Sequence, residues 1–366
     1  MNRVIMALVV GLLAGAAISA CVVDREGAPC DRDDNCPRSQ YCDLGNHCVE
    51  LTPALEANVA CRLVLVSLTQ KFSECLGGRP QDWLEGIFPD QICGTYLASL
   101  AAGRVTYDPM QLKVCRAALF TDACADLGTR KAGRMLADCP LFAGTVAPAS
   151  PCATDKDCAG GYCDTTSGCP GTCRAFVAEN APCTAADVCT PETACTGGTC
   201  RRYITSGPCS ADAGPCQPFS NYCNGSGQCV PRAVAGTPGC NYAGAGYFCE
   251  QNLNCVGALL GGKSCLRGVG LDQPCTPFTN ACDKFSACMT RDGGATLCTP
   301  LPGPGGGCGL SPPAGAQDLI LACRQSRCVL LSCVNYLSPG QACNNDGECG
   351  PLARCVGGTC RAEFCP

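Results

Sequence analysis

The sequence predicts small disulfide-rich repeat modules, made of short β-hairpins and loops, plus an inserted disulfide-stapled α-helical bundle. Three observations lead there. Cysteine supplies 41 of 366 residues, about 11% of the chain, which is the density of a disulfide scaffold. Aromatic residues reach only 5% and charged residues 16%, against 44 Gly and 27 Pro, so most of the chain lacks the apolar bulk for a large core. The cysteines also recur in groups at roughly 28 to 35 residues per group, a repeat signature broken once, between Thr52 and Val146, where Leu, Ala and Val rise.

The first element, residues 1–20, has the parts of an export signal: Arg3, an apolar core from Val4 to Ile18, and the small residues Ser19 and Ala20. Its core falls short of the about 20 apolar residues of a bilayer span, so it is expected to be removed. The string "ISAC", Ile18 to Cys21, resembles the bacterial lipobox. That resemblance implies that Cys21 carries diacylglycerol and becomes the new N-terminus, where a second acyl chain makes anchoring stable. Val22 in place of Asp, by resemblance to lipoprotein sorting rules, implies the outer membrane or cell surface. Setting Cys21 aside leaves forty cysteines, an even number suited to disulfides.

Residues 21–50 hold the first cysteine-rich module, "GAPCDRDDNCPRSQYCDLGNHC", with Cys30, Cys36, Cys42 and Cys48. Residues 51–147 read as the helical domain. Thr52 and Pro53 suit a helix start and Gly77 and Gly78 its end. Between them Cys61, Leu65, Leu68, Phe72 and Cys75 share one helical face. At 1.5 Å per residue Cys61 and Cys75 stand about 21 Å apart. Bonded cysteines need Cα atoms within about 7 Å, so each must bond another segment. A second helix follows Pro89 with Ile92, Cys93, Tyr96, Leu97 and Leu100 inward. A third starts at Asp108 and Pro109 and carries Leu112, Cys115 and Leu119. Cys124 and Cys139 flank a last helical piece, and Trp83 is expected between the first two long helices. The pairing of these six cysteines is left open by their spacing.

Residues 148–366 repeat the module in tandem. The groups are Cys152, Cys158, Cys163, Cys169 and Cys173, then Cys183, Cys189, Cys195 and Cys200, then Cys209, Cys216, Cys223 and Cys229. Looser groups hold Cys240, Cys249, Cys255 and Cys265, then Cys275, Cys282, Cys288 and Cys298, then Cys308, Cys323, Cys328 and Cys333. The last holds Cys343, Cys349, Cys355, Cys360 and Cys365. Two groups have five cysteines and cannot close internally, so at least one bond must cross the boundary of each. The tail is therefore expected to be a semi-rigid rod.

A small grammar accompanies the sulfurs. Asp33, Asp155 and Asp346 stand three residues after the first cysteine, where the side chain is expected to cap the turn through N–H groups two residues on. Tyr41, Tyr162 and Tyr222 precede the third cysteine as an apolar plate. Gly45, Gly168, Gly198, Gly227 and Gly358 stand before the last cysteine, as a hairpin turn with positive φ requires. This pattern, C-x-x-D-x-D/N/E-C followed by Y-C and a Gly before the last Cys, resembles the Dickkopf N-terminal type of cysteine-rich module. The layout of lipobox, module, six-cysteine helical segment and further modules resembles the cysteine-rich lipoproteins of myxobacteria. The resemblance implies a fold of stapled modules. The coreceptor binding of animal Dickkopf proteins does not carry over, because no residue here matches a binding motif.

Rival chemistry is poorly served. Zinc and thiol-redox sites use C-x-x-C, and the closest cysteines here, Cys169 and Cys173, have three residues between them. His47, the single histidine, sits in the turn "DLGNHC" and is expected at the surface, with no nucleophilic dyad. Asp31, Asp33 and Asp34 lack the spacing of an EF-hand loop. The stretches at Gly268 and Gly303 lack the lysine and helix of a phosphate loop; the second is expected to be a flexible joint. The sequon Asn224 to Ser226 is expected to carry nothing. No cofactor, metal or catalytic residue is expected. A net charge of −5 gives no nucleic-acid footprint.

The function expected is that of a non-enzymatic, lipid-anchored envelope protein whose disulfide-repeat stalk serves binding, adhesion or structural display. Its partners would be the membrane, through the N-terminal lipid, and a protein or glycan that the sequence does not identify. Variable gaps such as the stretch between Cys308 and Cys323 are where such a scaffold would place a recognition loop, because the staples hold the ends while the interior is free to vary; the plainer reading of this stretch is an insertion with no role. The alternative is a cystine-framework inhibitor of a secreted hydrolase.

Overall fold

The computed structural model describes residues 27–366 except 88, 122–123, 125–138, 185–186, 211–212, 218–219, 241–248, 251–252, 257–263, 277–281, 284, 291–293, 309–322, 324–325, 330–331, 345–347, 350–352, 357, 363–364 and 366. The expected signal segment, Cys21, Asp346, the loop of 309–322 and the helical piece between Cys124 and Cys139 thus lie outside the described residues. Two compact units divide the chain, one ending at Leu51 and one beginning at Thr52.

The first unit is a single module. A 3-10 turn at Asp33–Asn35 leads to strands β1 (Gln40–Cys42) and β2 (Cys48–Glu50), antiparallel with Cys42 opposite Cys48. Disulfides Cys30–Cys42 and Cys36–Cys48 cross beneath the hairpin. With so few apolar side chains, Cys36, Cys42 and Cys48 are themselves the buried interior.

The second unit opens with helices. α1 (Ala57–Leu76) buries Leu63, Val64, Leu65, Leu68 and Phe72 and ends at Gly77, whose φ of 78° suits only a residue without Cβ. The helix starts at Ala57 and not at Thr52, because Thr52–Leu55 is spent on a separate turn closed by Leu55 N–H to Thr52 O. α2 (Pro80–Gly86) carries Trp83, α3 (Pro89–Ala101) buries Ile92, Cys93 and Tyr96, and α4 (Leu112–Thr121) buries Leu112, Cys115 and Leu119. Leu97 and Leu100 are half-buried. Asp108 caps as its sequence context predicts, its carboxylate accepting the Met110 amide at 3.0 Å above the 3-10 turn Pro109–Gln111. α1 packs against each of the other three helices. Cys61 bonds Cys93, Cys75 bonds Cys124 and Cys115 bonds Cys139. Strands β3 (Val105–Tyr107) and β4 (Phe142–Gly144) pair antiparallel and lead into the tail. Trp83, on α2 between the long helices α1 and α3 in the chain, meets Phe72 at 5.3 Å in a tilted contact and Phe285, in the Cys275 module, edge-on at 4.8 Å. Among the described residues no helix is long and apolar enough to cross a membrane.

Beyond β4 come seven modules, each with an antiparallel hairpin between its third and fourth module cysteines. Gly168, Gly198, Gly227 and Gly358 all have positive φ in these hairpins, whereas in the first module Asn46 at 61° takes that role in place of Gly45. The expected rod is corrected by one bond. Cys169 and Cys365, the surplus cysteines of the two five-cysteine groups, bond each other across 196 residues, so the first and last members of the series are joined and cannot be the far ends of a rod.

Candidate functional site

The chemistry-bearing groups of this chain are its sulfurs, and each module arranges them alike. First bonds third and second bonds fourth: Cys152–Cys163 with Cys158–Cys173, Cys183–Cys195 with Cys189–Cys200, and Cys209–Cys223 with Cys216–Cys229. The same holds for Cys240–Cys255 with Cys249–Cys265, Cys275–Cys288 with Cys282–Cys298, Cys308–Cys328 with Cys323–Cys333, and Cys343–Cys355 with Cys349–Cys360. Third and fourth cysteines face each other across the hairpin, as Cys163 does Cys173, so their side chains leave the same face and clamp two different points of the preceding loop. Crossing brings sulfurs close; those of Cys30, Cys36 and Cys48 lie within 4.8 Å of one another. All are oxidised, and a disulfide offers no thiolate for a metal.

Backbone bonds knit the loop to the hairpin. The first cysteine donates to the residue two before the fourth, as Cys30 does to Asn46 O and Cys183 to Gly198 O. The fourth donates back, as Cys48 does to Ala28 O and Cys200 to Ala181 O. The turn three residues before the first cysteine carries positive φ at Gly27, Ala149, Asn180, Asp272, Gly305 and Gly340. Gly305 belongs to the stretch expected to be a flexible joint. There it forms a turn, its N–H donating to Cys333 O at 2.7 Å while Gly306 N–H donates to Gly303 O.

Acidic side chains tie several of these loops, through partners other than their sequence position suggests. The bonds of Asp33 and Asp155 reach beyond the local turn. Their carboxylates reach across the loop and accept the third-cysteine amides, Cys42 and Cys163, both at 2.8 Å. In three modules local capping falls to the residue before the second cysteine, whereas in the Cys183 module Asp187, two before it, accepts the Thr184 amide. Asn35 accepts the Asp31 and Arg32 amides, Asp157 those of Ala153 and Thr154, and Glu348 that of Asn344. The Asn344 amide, followed by the Asn344 side chain and Arg327, holds the Glu348 carboxyl below the usual carboxylate range. Asp157 is wholly buried and also takes Arg104 Nε at 2.8 Å, while Lys156 Nζ donates to Cys139 O at 2.7 Å; together these fasten the helical segment to the Cys152 module.

The joints between modules were missed by sequence reasoning. Four residues after a module's fourth cysteine, Val177, Ile204, Ala233 and Val269 each form a parallel bridge with the second cysteine of the next module. Val177 and Val269 pack on the following sulfur cluster, and Ala233 is buried within it. A small or β-branched apolar residue at a fixed offset was the signal available. Gly268 is forced by this joint, since a Cβ there would come within 2.7 Å of Cys282 O.

Conventional catalytic geometry has little material. His47 is exposed in the first hairpin's turn. Tyr41 and Tyr162 are buried as plates, the latter stacked on Phe176 at 5.9 Å, whereas Tyr222 is half-buried. Asn224 holds its turn, its Oδ1 accepting the Ser226 and Gln228 amides. A small apolar cavity under Tyr96 and Phe142 is lined by Cys61, Val64 and Leu141. Burial, with Asp155 and Asp157 nearby, pushes the Tyr96 phenol well above its ordinary range.

No family model, no curated protein and no solved structure matches this chain.

Proposed function

We propose that this chain is a lipid-anchored, non-enzymatic protein of the cell envelope, whose disulfide modules display loops for binding, adhesion or envelope structure. One observation carries the reading. The twenty disulfides close using only the forty cysteines from Cys30 to Cys365, so none of them needs Cys21, which stands directly behind the signal-like run "GLLAGAAISA" in a lipobox context. Twenty disulfides also suit export to an oxidising compartment. The modules are read as the Dickkopf N-terminal type, and residues 51–147 as an inserted stapled bundle that seats the first tail module through Arg104 and Asp157. The expected stalk gives way to a closed series of modules.

Radiolabelled palmitate tests it. Labelling and membrane partition of the wild-type chain, both lost in Cys21→Ser, are the expected result. Unchanged labelling of the variant removes the anchor from the proposal. Inhibition of a secreted protease by the purified chain would favour the inhibitor reading over display.

A further inference from the structure

We propose that Cys169–Cys365 is a releasable clasp: a dithiol donor opens it in preference to the module bonds, and the closed series of modules then opens. The inference does not depend on the lipid anchor.

Three features single out this bond. Removing it leaves every module with both of its crossed disulfides, because Cys169 and Cys365 are each a fifth cysteine added to a complete set. Its two halves differ in access. Cys169 lies exposed in the hairpin turn between Gly168 and Pro170, whereas Cys365 is buried, its amide donating to Ala153 O at 2.8 Å. Module sulfurs are mostly buried; Cys223 is also exposed, but its bond to Cys209 lies inside a module and is held by the second crossed disulfide, Cys216–Cys229. Finally, the clasp spans 196 residues, so its loss changes the relation between distant modules, where loss of a module bond loosens only 10 to 20 residues.

The exchange is balanced. A donor thiolate attacks the sulfur of Cys169, the exposed partner, a mixed disulfide forms, and the S–S bond to Cys365 breaks with its electron pair on Cys365, which takes a proton from water. The donor's second thiolate then attacks the mixed disulfide and releases Cys169 as a thiolate. Two electrons pass from dithiol to clasp, and the donor leaves as its own disulfide.

The experiment titrates the purified full chain with dithiothreitol, quenches with acid, labels free thiols with N-ethylmaleimide and maps the labelled cysteines by mass spectrometry, with small-angle scattering of each sample. Cys169 and Cys365 are expected to reach half-labelling at about tenfold less dithiol than any module pair, with the radius of gyration rising at the same point. Module bonds yielding first or together overturn the proposal, as does clasp labelling with no change in radius. The variant Cys169→Ser/Cys365→Ser is expected to match the radius of the clasp-reduced chain; a radius equal to the oxidised wild type overturns it. If the variant fails to accumulate, the wild-type titration still decides.

Discussion

Cys42 and Cys48 stand directly opposite each other in the first hairpin, yet they bond to Cys30 and Cys36 and not to one another. Facing cysteines on one side of a hairpin act as a two-pronged clamp, and the loop carrying the first two cysteines is what they grip. The arrangement recurs in every module, so its correctness depends on discrimination among sulfurs only a few ångströms apart.

Removing one prong tests that discrimination. In Cys36→Ser the Cys48 thiol is left within 4.8 Å of the Cys30 sulfur, so exchange to Cys30–Cys48 with a free Cys42 is open. Disulfide mapping of this variant is expected to find that bond alongside Cys30–Cys42. Recovery of Cys30–Cys42 alone would show that the loop fixes pairing without the second bond.

Asp157 is the most enclosed carboxylate described, and its loss leaves the Ala153 and Thr154 amides and the Thr154 hydroxyl without their acceptor, while Arg104 keeps Ser99 Oγ. Arg104 is 31% exposed and stays solvated, so the cost lies in the buried donors left unsatisfied, about 1–3 kcal/mol, and Asp157→Ala should lower unfolding stability by at least that order. Denaturant unfolding under oxidising conditions measures it. A change below about 1 kcal/mol would mean that the joint between helices and module does not depend on the Arg104–Asp157 pair.

Tyr96 sets a limit at alkaline pH. Its folded phenol is raised by burial first and by Asp155 and Asp157 next. Below about pH 10 the phenol is neutral in both states and its contribution is intact; above that the unfolded chain ionises first, so stability falls as pH climbs toward the folded value. Thermal melts should therefore weaken above pH 10 more steeply for wild type than for Tyr96→Phe, and absorbance titration should show one tyrosine that stays protonated after the others ionise. Parallel melting curves for the two chains would contradict the assignment.

Much of the module could be read from residues. Cysteine spacing located each repeat, the Gly before the last cysteine marked most hairpin turns, and Asp108 announced its cap. Those signals are local, and local chemistry decides them. What stayed hidden depends on distance in space. Asp33 was expected to cap near itself, and its partner, the Cys42 amide, becomes a neighbour only once the crossed bonds have folded the loop back. The joint residues Val177 and Ile204 look like linker until the next module's second cysteine is seen beside them. Trp83 meets Phe285 across more than half the chain, and no helical periodicity carries that information. The parity of Cys169 and Cys365 required bonds that cross group boundaries, but not that the two would choose each other.

The bond between Cys169 and Cys365 changes what a nick in the main chain can do. A single cut anywhere between those two residues leaves both pieces tied together, so the surface loops of the tail can be clipped by foreign proteases without shedding mass. Cuts that free a fragment are confined to stretches no disulfide spans, notably 49–60 and 140–151, and it is there that a releasing enzyme would have to act.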